Sequence, residues 1–425
     1  MPNSSKPPIN FHLDHPGDWN AIPRQLTIRG WVFWAGHGET LGVRALIDGR
    51  FVLAALGFHR PDVPAVFPQA PGEFTGYQIA TPAPRGKFTV ELQMRTASAD
   101  WQTFFATSAR SSRWRRPFAL GGGSSADLLA TQLSLIPQYA ARPIRPEQFP
   151  TIPAESTALP KLCIVTPSFN QGQWLEQCIR SVTAGSEPGI RHFVQDGGST
   201  DNSVDVLESH SGKLHSWVSK PDGGQADAIA LAFAETSGSD DDLMAWINAD
   251  DHYLPGTLSF VRRYFLRHPE VDVLYGNRVL IDDAGLEIGR WHLPPHDDEV
   301  LRLYDFVPQE TLFWRRRIWQ KVGGVDPSLQ FALDWDLLLR FQAAGANIVH
   351  LPRFLAVFRI HAGQKSAAII GSVGQKEIDQ LRQRTFGRDL TPEELVQAPV
   401  LEAYLRQSAR RELAAKFGWR PHISV

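Results

Sequence analysis

The chain has 425 residues, of which 43% are hydrophobic and 21% charged, so it can form packed cores and is not generally disordered. Its formal net charge of −2, from 43 basic and 45 acidic side chains, argues against a nucleic-acid-binding protein, which would carry a basic domain or stripe. Two cysteines, Cys163 and Cys178, are too few for a disulfide scaffold or a cysteine-built zinc site.

The length indicates two or three domains. No run of about 18 uninterrupted apolar residues occurs, so we expect no membrane-spanning helix. Residues 1–6 (MPNSSK) are not followed by an apolar core, so no secretory signal is expected either. We therefore predict a soluble, cytoplasmic protein. Peripheral contact of this protein with the inner face of the membrane is an alternative that the sequence does not decide. The sequence leaves the oligomeric state open.

Residues 1–116 are predicted to form an antiparallel β-sandwich. Residues 26–34 and 88–95 show the alternation of period two that is typical of half-buried strands. Asp48-Gly49, between the apolar stretches 43–47 and 51–54, is a strong hairpin-turn signal. Short strands separated by glycine and proline indicate a sandwich of two sheets.

Residues 117–160 are predicted to be a linker. A glycine- and serine-rich stretch at 121–125 is flexible, and five prolines between 143 and 160 stiffen the approach to the next domain. A short amphipathic helix is expected within this linker at residues 126–139.

Residues 161–372 are predicted to form an α/β domain. Residues 162–165 are a continuous apolar run, as a buried parallel strand requires, and helical spacing follows. Further apolar strands at 192–194 and 243–247 alternate with helices, which indicates a sheet with parallel crossovers. Residues 373–425 are predicted to be a helical extension, in which Thr391 and Glu394 form a capping box.

Polar residues follow each predicted strand of the α/β domain, at the edge where open parallel sheets bind ligands. They are residues 166–170 (TPSFN), 195–201 (QDGGSTD) and 248–251 (NADD). A carboxylate pair on a turn at a strand end presents oxygen ligands to Mg²⁺ or Mn²⁺, and such a metal would neutralise a diphosphate leaving group. Taken alone, Asp201 is also a good helix N-cap.

Together these motifs closely resemble the family-2 glycosyltransferases of GT-A fold. Further matches over about residues 161–370 are 220–228 (KPDGGQADA), 308–311 (PQET), 333–336 (LDWD) and 358–361 (FRIH). The resemblance implies a Rossmann-like mixed sheet and an inverting transfer of a sugar from a nucleotide-diphosphate donor, usually a UDP-sugar, to a hydroxyl. It implies Mn²⁺ or Mg²⁺ as cofactor, and we expect a glycan or glycolipid acceptor in cell-surface or extracellular polysaccharide synthesis.

The N-terminal region has a resemblance of its own. Residues 30–33, 48–49 and 60–63 resemble an accessory β-module that is appended to some bacterial glycosyltransferases. This resemblance implies an accessory domain and assigns it no catalytic group.

The resemblance to the family also implies which residues form the nucleotide-sugar pocket. They are Thr166, Pro167, Phe169, Asn170, Asp196, Ser199, Asp222, Gly223, Gln225, Asp227, Asn248, Ala249 and Asp250. Phe169 is expected near the base, and Asp196 is expected to accept a hydrogen bond from the uracil imide. Asp250 and His361 are expected to bind the metal. Asn248 occupies the first position of the D-x-D motif, which removes one negative charge.

Asp334 matches the catalytic base of the family. An inverting displacement needs a carboxylate that takes the proton from the acceptor hydroxyl. Residues on the acceptor and diphosphate side are expected to be Gln309, Trp335, Arg359 and His361. A helix cap or an ion pair is the alternative for Asp334, and a local ion pair is the alternative for Arg359.

Two other functions compete with the transferase. A sugar nucleotidyltransferase would share the nucleotide-binding sheet, but it usually has basic residues after the first strand to hold a triphosphate, and residues 170–174 (NQGQW) contain none. A non-catalytic glycan-binding protein with a degenerate transferase domain would not be expected to retain Asp196, Asp250 and Asp334 together. The sequence does not identify the donor sugar, the acceptor or the linkage.

Overall fold

The computed structural model describes residues 9–22, 25–36, 40–58, 60, 62–70, 75–84, 86–96, 99–111, 138–145, 149, 159–184, 187–361, 364, 373–391, 394–395 and 397–416. The chain divides into two compact units, of which the first comprises residues 1–141 and 360–380 and the second residues 142–359 and 381–425. The helix predicted for residues 126–139 lies outside the described residues, apart from its last two.

The first unit is built from two antiparallel sheets. Its elements are β1 (Ile9–His15), β2 (Gln25–Trp34), β3 (Thr40–Ile47), β4 (Arg50–Leu53), β5 (Ala55–Phe58), α1 (Asp62–Val66), β6 (Gly76–Pro82), β7 (Lys87–Thr96) and β8 (Ala99–Arg110). The sheet orders are β1-β2-β6-β5 and β4-β3-β7-β8. Ile28 and Ile79 from one sheet share a core with Val43 and Leu92 from the other, which confirms the predicted sandwich.

The turn between β3 and β4 is the predicted hairpin turn. Asp48 and Gly49 have φ angles of 49° and 78°, the left-handed region that two-residue hairpin loops of the primed type require. Backbone sterics therefore explain why an Asp-Gly pair stands at this position.

The second unit alternates strands and helices. Its elements begin with β9 (Leu162–Ser168), α2 (Gly172–Thr183), β10 (Ile190–Asp196), α3 (Ser203–His210), β11 (Ser216–Ser219), α4 (Gln225–Ala234), β12 (Leu243–Trp246), β13 (His252–Tyr253) and α5 (Thr257–Arg267). They continue with β14 (Val273–Ile281), β15 (Glu287–Arg290), α6 (Asp298–Leu303), a 3₁₀ turn (Gln309–Thr311), β16 (Phe313–Arg315), α7 (Arg316–Val322), α8 (Leu333–Ala343) and β17 (Ile348–Arg359). Helices α9 (Gln375–Phe386) and α10 (Pro399–Lys416) follow toward the C-terminus.

One mixed sheet runs through this unit in the order β11-β10-β9-β12-β16-β14-β17-β13, with β15 paired to β14. Strands β11, β10, β9 and β12 are parallel, whereas β16 is antiparallel to both of its neighbours. The chain moves outward from β9 to β11 and then returns to β12 on the other side of β9. This reversal is a topological switch point, where the carboxyl ends of the strands leave a crevice for a ligand. The mixed α/β fold class is confirmed.

The apolar pattern explains why β9 is an interior strand of the sheet. All seven of its residues are buried, and Leu162 and Ile164 share a core with Cys178 and Val182 of α2. Burying each such aliphatic side chain contributes about 1.5–3 kcal/mol. Polar residues are therefore confined to the strand ends, which positions them at the crevice.

The last helix, α10, belongs to the second unit. Ser408 donates a hydrogen bond to the carbonyl of His292 (3.1 Å), and Arg411 donates one to that of Leu293 (3.1 Å). Thr391 and Glu394 form the predicted capping box, with reciprocal bonds of 2.8 and 3.2 Å. None of the helices in the described part of the chain is long and apolar enough to cross a bilayer.

Buried histidines make the stability of the second unit depend on pH. Burial lowers the pKa of both His192 and His350 to about 3, because the imidazolium would lose its hydration. The unfolded chain binds these protons near pH 6.5, so the folded state holds fewer protons between the two values. The free energy of unfolding should therefore fall as the pH falls from about 6.5 toward 3, by about 1.4 kcal/mol per pH unit for each histidine.

In the His192→Gln variant, the free energy of unfolding should fall less steeply with falling pH, because one of the two buried histidines is removed. The measurement is urea unfolding at several pH values between 6.5 and 4.5. His215→Gln is the control, because His215 is exposed and its ring meets water in both states. If the free energy of unfolding changes equally with pH in the wild type and in His192→Gln, the prediction is wrong.

Candidate functional site

The loops after β9 and β10 are joined by backbone and side-chain hydrogen bonds. Asn170, with a φ of 52°, donates its backbone N–H to Ser199 Oγ (2.7 Å), and its Oδ1 accepts the N–H of Thr200 (2.8 Å). Asp201 accepts the N–H groups of Gly172 (2.9 Å) and Ser203 (3.0 Å) at the starts of α2 and α3, whereas the N-cap position of α3 is Asn202. The first two motifs therefore form one rigid rim of the crevice.

Asp196 lies beneath this rim. Its side chain is fully buried and accepts hydrogen bonds from the Gly198 N–H (3.2 Å), from the N–H and Oγ of Ser199 (2.9 and 2.5 Å) and from Ser219 Oγ (2.6 Å). Asp196 therefore holds the loop in shape, and its contact with uracil stays a prediction.

The loop between β11 and α4 contributes two carboxylates. Asp222 Oδ1 accepts the N–H of Gly224 (2.9 Å), and Asp227 Oδ2 accepts the N–H of Gly223 (2.8 Å). Both side chains are half-buried, and burial raises the pKa of Asp222, with smaller contributions from the charges of Asp227 and Asp196. Asp222 therefore lies at the crevice with one oxygen fixed by its own loop.

A chain of amides crosses the floor of the crevice. Gln225 Nε2 donates to Asn248 Oδ1 (2.8 Å), Asn248 Nδ2 donates to Gln309 Oε1 (3.2 Å), and Gln309 Nε2 donates to the carbonyl of Trp246 (2.9 Å). The structure thus brings together three predicted site residues that are far apart in sequence. Asn248 Oδ1 is already engaged by Gln225, which makes it a poor ligand for a metal.

Arg359 donates hydrogen bonds to the loop that carries Asp250 and Asp251. The backbone N–H of Arg359 donates to Asp251 Oδ1 (3.0 Å), and its guanidinium donates to the carbonyl of Asp250 (3.0 Å) and to Gln177 Oε1 (2.7 Å). Asp250 is 8% exposed, whereas Asp251 is 2% exposed. Burial raises the pKa of Asp251, and the nearby charges of Asp250 and Glu310 raise it further. Arg359 thus positions the carboxylate loop.

An acidic cluster around Arg278 links this loop to α8. Glu310 is buried and pairs with the Arg278 guanidinium at nitrogen–oxygen distances of 2.8 and 2.9 Å. Burial raises the pKa of Glu310, the Arg278 charge lowers it, and the charge of Asp334 raises it. Since the charge of Glu310 also raises the pKa of Asp251, Glu310 lies near both motifs.

Asp334 lies at the start of α8 and is half-buried. Its Oδ1 accepts the N–H of Trp335 (3.0 Å), and the Trp335 indole donates to the carbonyl of Leu301 (2.7 Å). Burial raises the pKa of Asp305 well above its usual range, and the charge of Asp334 adds to this rise. The sequence interpretation missed Asp305 and Arg278. Arg278 is the charged residue of the fully buried strand β14, and this is the signal that points to it.

Several predicted site residues have buried side chains. Thr166 is fully buried and its Oγ1 bonds to His192 Nε2 (2.9 Å), while Pro167 and Ala249 are also buried. Trp335 is 1% exposed and packs inside its own unit. These side chains are enclosed by the protein, and the contact of Trp335 with the acceptor stays a prediction.

His361 follows β17 and is buried. It belongs to the first compact unit, with residues 360–380, so its role as a metal ligand stays a prediction. Within the described residues, no group of three or more His, Cys, Asp or Glu side chains is arranged to hold a metal ion. A single carboxylate at a strand end, Asp250, still fits Mg²⁺ or Mn²⁺, since such ions are commonly held by one or two carboxylates together with substrate phosphates.

Comparison with known proteins identifies the family. Residues 163–321 match the model of the family described as glycosyl transferase family 2. The uncharacterized glycosyltransferase Rv1514c of Mycobacterium tuberculosis is 30% identical over 189 residues, which are 43% of this chain and 70% of that protein. The O-antigen biosynthesis protein RfbC of Myxococcus xanthus is 26% identical over 224 residues, 49% of this chain and 16% of that protein.

Solved structures also resemble this chain. The crystal structure of residues 1–349 of Staphylococcus aureus TarS in complex with UDP-GlcNAc has 17% sequence identity and a TM-score of 0.45, and the match covers 60% of this chain and 76% of that one. The sequence relationship to Rv1514c extends over most of that protein, and it agrees with the match to the family model. The chain therefore belongs to glycosyl transferase family 2.

Proposed function

We propose that the second unit transfers a sugar from a UDP-sugar to a hydroxyl of a glycan or glycolipid, with inversion at the anomeric carbon. The observation that carries this proposal is that one unit contains two carboxylates suited to the two halves of the reaction, one for the leaving group and one for the general base. Asp250 follows the carboxyl end of β12, and Asp334 lies in the first turn of α8. A leaving-group site and a general base are the two elements that an inverting transfer requires.

The nucleotide side of the site would be formed by the rim and the loop before α4. Phe169 is 60% exposed at the end of β9, so its ring is available for stacking on a base. Asp250 is the residue that would hold Mn²⁺ or Mg²⁺. Such a metal, when bound, neutralises the charge that develops on the diphosphate as it leaves.

The acceptor side would be formed by α8 and the 3₁₀ turn. Asp334 takes the proton of the acceptor hydroxyl while the oxygen bonds to the anomeric carbon and the sugar–phosphate bond breaks. A single displacement of this kind inverts the configuration. Glu310 and Arg278 neutralise each other, which limits the repulsion between the acidic groups and keeps the base close to the leaving group.

The biological setting is proposed from the chemistry of a relative. RfbC is named as an O-antigen biosynthesis protein, and it matches about half of this chain. This name supports a role in the synthesis of a bacterial surface or extracellular polysaccharide.

A panel of nucleotide sugars tests the proposal. The protein is mixed with UDP-, GDP- and CDP-sugars and Mn²⁺ or Mg²⁺, and the melting temperature and the released nucleotide are measured. We expect a UDP-sugar to raise the melting temperature, because a ligand at 100 times its Kd stabilises by about 2.7 kcal/mol, and we expect release of UDP with an acceptor. Formation of pyrophosphate from a sugar phosphate and a nucleoside triphosphate would indicate a nucleotidyltransferase. Glycan binding without any nucleotide binding would indicate a binding protein.

A further inference from the structure

Arg278, in strand β14, is enclosed by two aromatic rings and one carboxylate. Its guanidinium lies 4.3 Å from the ring centroid of Trp291 and 4.6 Å from that of Phe358. Its Nη2 donates to Glu310 Oε2 (2.9 Å), and its Nε lies 2.8 Å from Glu310 Oε1. Arg278 is 7% exposed and Glu310 is 1% exposed. Because a planar guanidinium matches both the ring faces and the carboxylate, these contacts hold Arg278 in one position.

The 3₁₀ turn that carries Glu310 is attached to the sheet through each of its three residues. Gln309 belongs to the chain of amides that crosses the floor of the crevice. Thr311 Oγ1 accepts the N–H of Gly276 and donates to the carbonyl of Gly276, both at 3.1 Å. Glu310 pairs with Arg278, which lies two residues after Gly276 on β14. The ion pair therefore helps to fix a turn that reaches the floor of the crevice.

The charge of Arg278 acts on carboxylates near Asp334. Burial raises the pKa of both Glu310 and Asp305, the charge of Arg278 lowers the pKa of both, and the charge of Asp334 raises the pKa of both. Since Coulomb interactions are mutual, each of these carboxylates, when ionised, also opposes ionisation of Asp334. The phenol of Tyr304 is neutral near pH 7, because burial raises its pKa to about 12. Arg278 is thus a positive charge that offsets the neighbouring carboxylates.

Other charged groups on α8 and α9 have partners of their own. Asp336, on the same helix as Asp334, pairs with Arg340 (2.6 Å) and Arg384 (2.5 Å). Arg382 of α9 donates to the carbonyl at the end of α6 (3.2 Å). These charges stay the same when Arg278 is replaced, so a variant of Arg278 reports on the charge of Arg278 itself.

We propose that Arg278 is a positioning residue for the transfer reaction: through Glu310 it fixes the turn near the base, and its positive charge keeps Asp334 ionised among the neighbouring carboxylates. This inference rests on the proposed function, in which Asp334 takes the proton of the acceptor hydroxyl. Arg278 acts through Glu310 and Asp334, and no contact with substrate is assigned to it.

The pH dependence of kcat tests the charge of Arg278. The measurement is UDP release from about pH 5 to pH 9 at saturating Mg²⁺, with UDP-GlcNAc, UDP-glucose or UDP-galactose, whichever the nucleotide-sugar panel selects. The acid midpoint is the pH at which kcat falls to half as the base takes up a proton. Arg278→Gln removes the positive charge, so the acid midpoint should rise by about one pH unit, and kcat well below it should fall about tenfold. Arg278→Lys keeps the charge and should restore an acid midpoint close to that of the wild type.

Glu310→Gln should shift the acid midpoint in the opposite direction. It removes a negative charge near Asp334, so the acid midpoint should fall while sugar transfer continues. In the double variant Arg278→Gln/Glu310→Gln both charges are absent, and the acid midpoint should lie close to that of the wild type. The double variant also leaves no buried charge without a partner, so it serves where Arg278→Gln alone does not fold. Loss of structure alone would not move the acid midpoint in opposite directions.

Arg315→Gln is the matched control. Arg315 is 3% exposed, its guanidinium lies 5.1 Å from the ring centroid of Phe265, and it donates to the carbonyl of Phe265 (2.7 Å). It pairs with Leu243 at the first residue of β12, whereas Asp250 follows the last residue of that strand. Arg315→Gln should therefore lower the melting temperature and leave the acid midpoint unchanged.

The outcomes separate this inference from the proposed function. If the wild type transfers sugar but Arg278→Gln, or the double variant compared with Glu310→Gln, shows no upward shift of the acid midpoint, Arg278 has no such role and the proposed function stands. Loss of transfer at every pH in Glu310→Gln, with UDP affinity retained, would also overturn the inference, since Glu310 would then be the base. If the wild type transfers no sugar from any donor of the panel, the proposed function fails, and the inference fails with it.

Discussion

Asp334→Asn should lower the turnover number by about 10²–10⁴-fold, the usual effect of removing a general base. The substitution is nearly isosteric, and the amide oxygen can still accept the N–H of Trp335. Nucleotide affinity should be unchanged, so the loss should appear in kcat. Steady-state kinetics with the identified donor and acceptor, together with calorimetry of UDP, would measure both quantities.

The Asp334 substitution should not destabilise the fold. Asp334 adds to the pKa rise of both Asp305 and Glu310, which means that its negative charge is unfavourable for its neighbours. Removing that charge relieves repulsion, so the free energy of unfolding should stay equal or rise. A variant that unfolds more easily and loses activity in proportion would show a structural role for Asp334.

Asp336, two residues further along α8, provides the matched control. It is fully buried and pairs with Arg340 (2.6 Å) and Arg384 (2.5 Å). Breaking a buried ion pair from one side typically costs about 3–5 kcal/mol, so Asp336→Asn should lower stability strongly. Its turnover per folded molecule should remain close to that of the wild type. If Asp334→Asn keeps the wild-type rate instead, Glu310 and Asp305 become the candidate bases.

Asp250→Asn should lower the turnover number by at least about 10²-fold, which is the scale of losing one group that stabilises charge on a leaving group. UDP affinity should also fall, and it should no longer depend on the divalent ion. The physical reason is that Asp250, which follows β12, is the proposed metal ligand. Calorimetry of UDP with Mg²⁺ and with EDTA, for wild type and variant, measures this dependence.

Asp251→Asn is the matched control for Asp250. Asp251 Oδ1 accepts the backbone N–H of Arg359 (3.0 Å), a bond that an amide oxygen preserves. Burial already raises the pKa of Asp251, so replacing the carboxyl by a neutral amide is mild. Asp251→Asn should therefore retain the metal dependence of UDP binding. Equal UDP affinity of the wild type with Mg²⁺ and with EDTA would rule out the proposed metal role of Asp250.

Local features were predictable from the sequence because they depend on neighbours along the chain. The alternation of period two identified the sandwich strands, and Asp48-Gly49 identified a turn with positive φ. Apolar runs that end in polar residues located the crevice of the α/β domain. The order of the motifs was sufficient to indicate the family, since each motif follows a particular strand.

The partners of the site residues were decided by the tertiary structure. The sequence placed Asp196 at a strand end, but only folding buries its carboxylate under Ser199 and Ser219 and leaves Asp222 at the opening beside Gly197. A position at a strand end does not say whether a side chain points into the loop or into the crevice. That choice depends on contacts with the neighbouring strand, β11.

The sequence by itself therefore determined the family, the fold class and the motifs that follow the strands of the α/β domain. The structure decided how these motifs interact: it joined Gln225, Asn248 and Gln309 in one chain of amides and paired Glu310 with Arg278. These pairs are 23 to 61 residues apart in sequence. Helix and strand periodicity predicts secondary structure from residues that are close in sequence. A charged or amide side chain, by contrast, pairs with a distant residue only after the crossovers have brought their strands side by side.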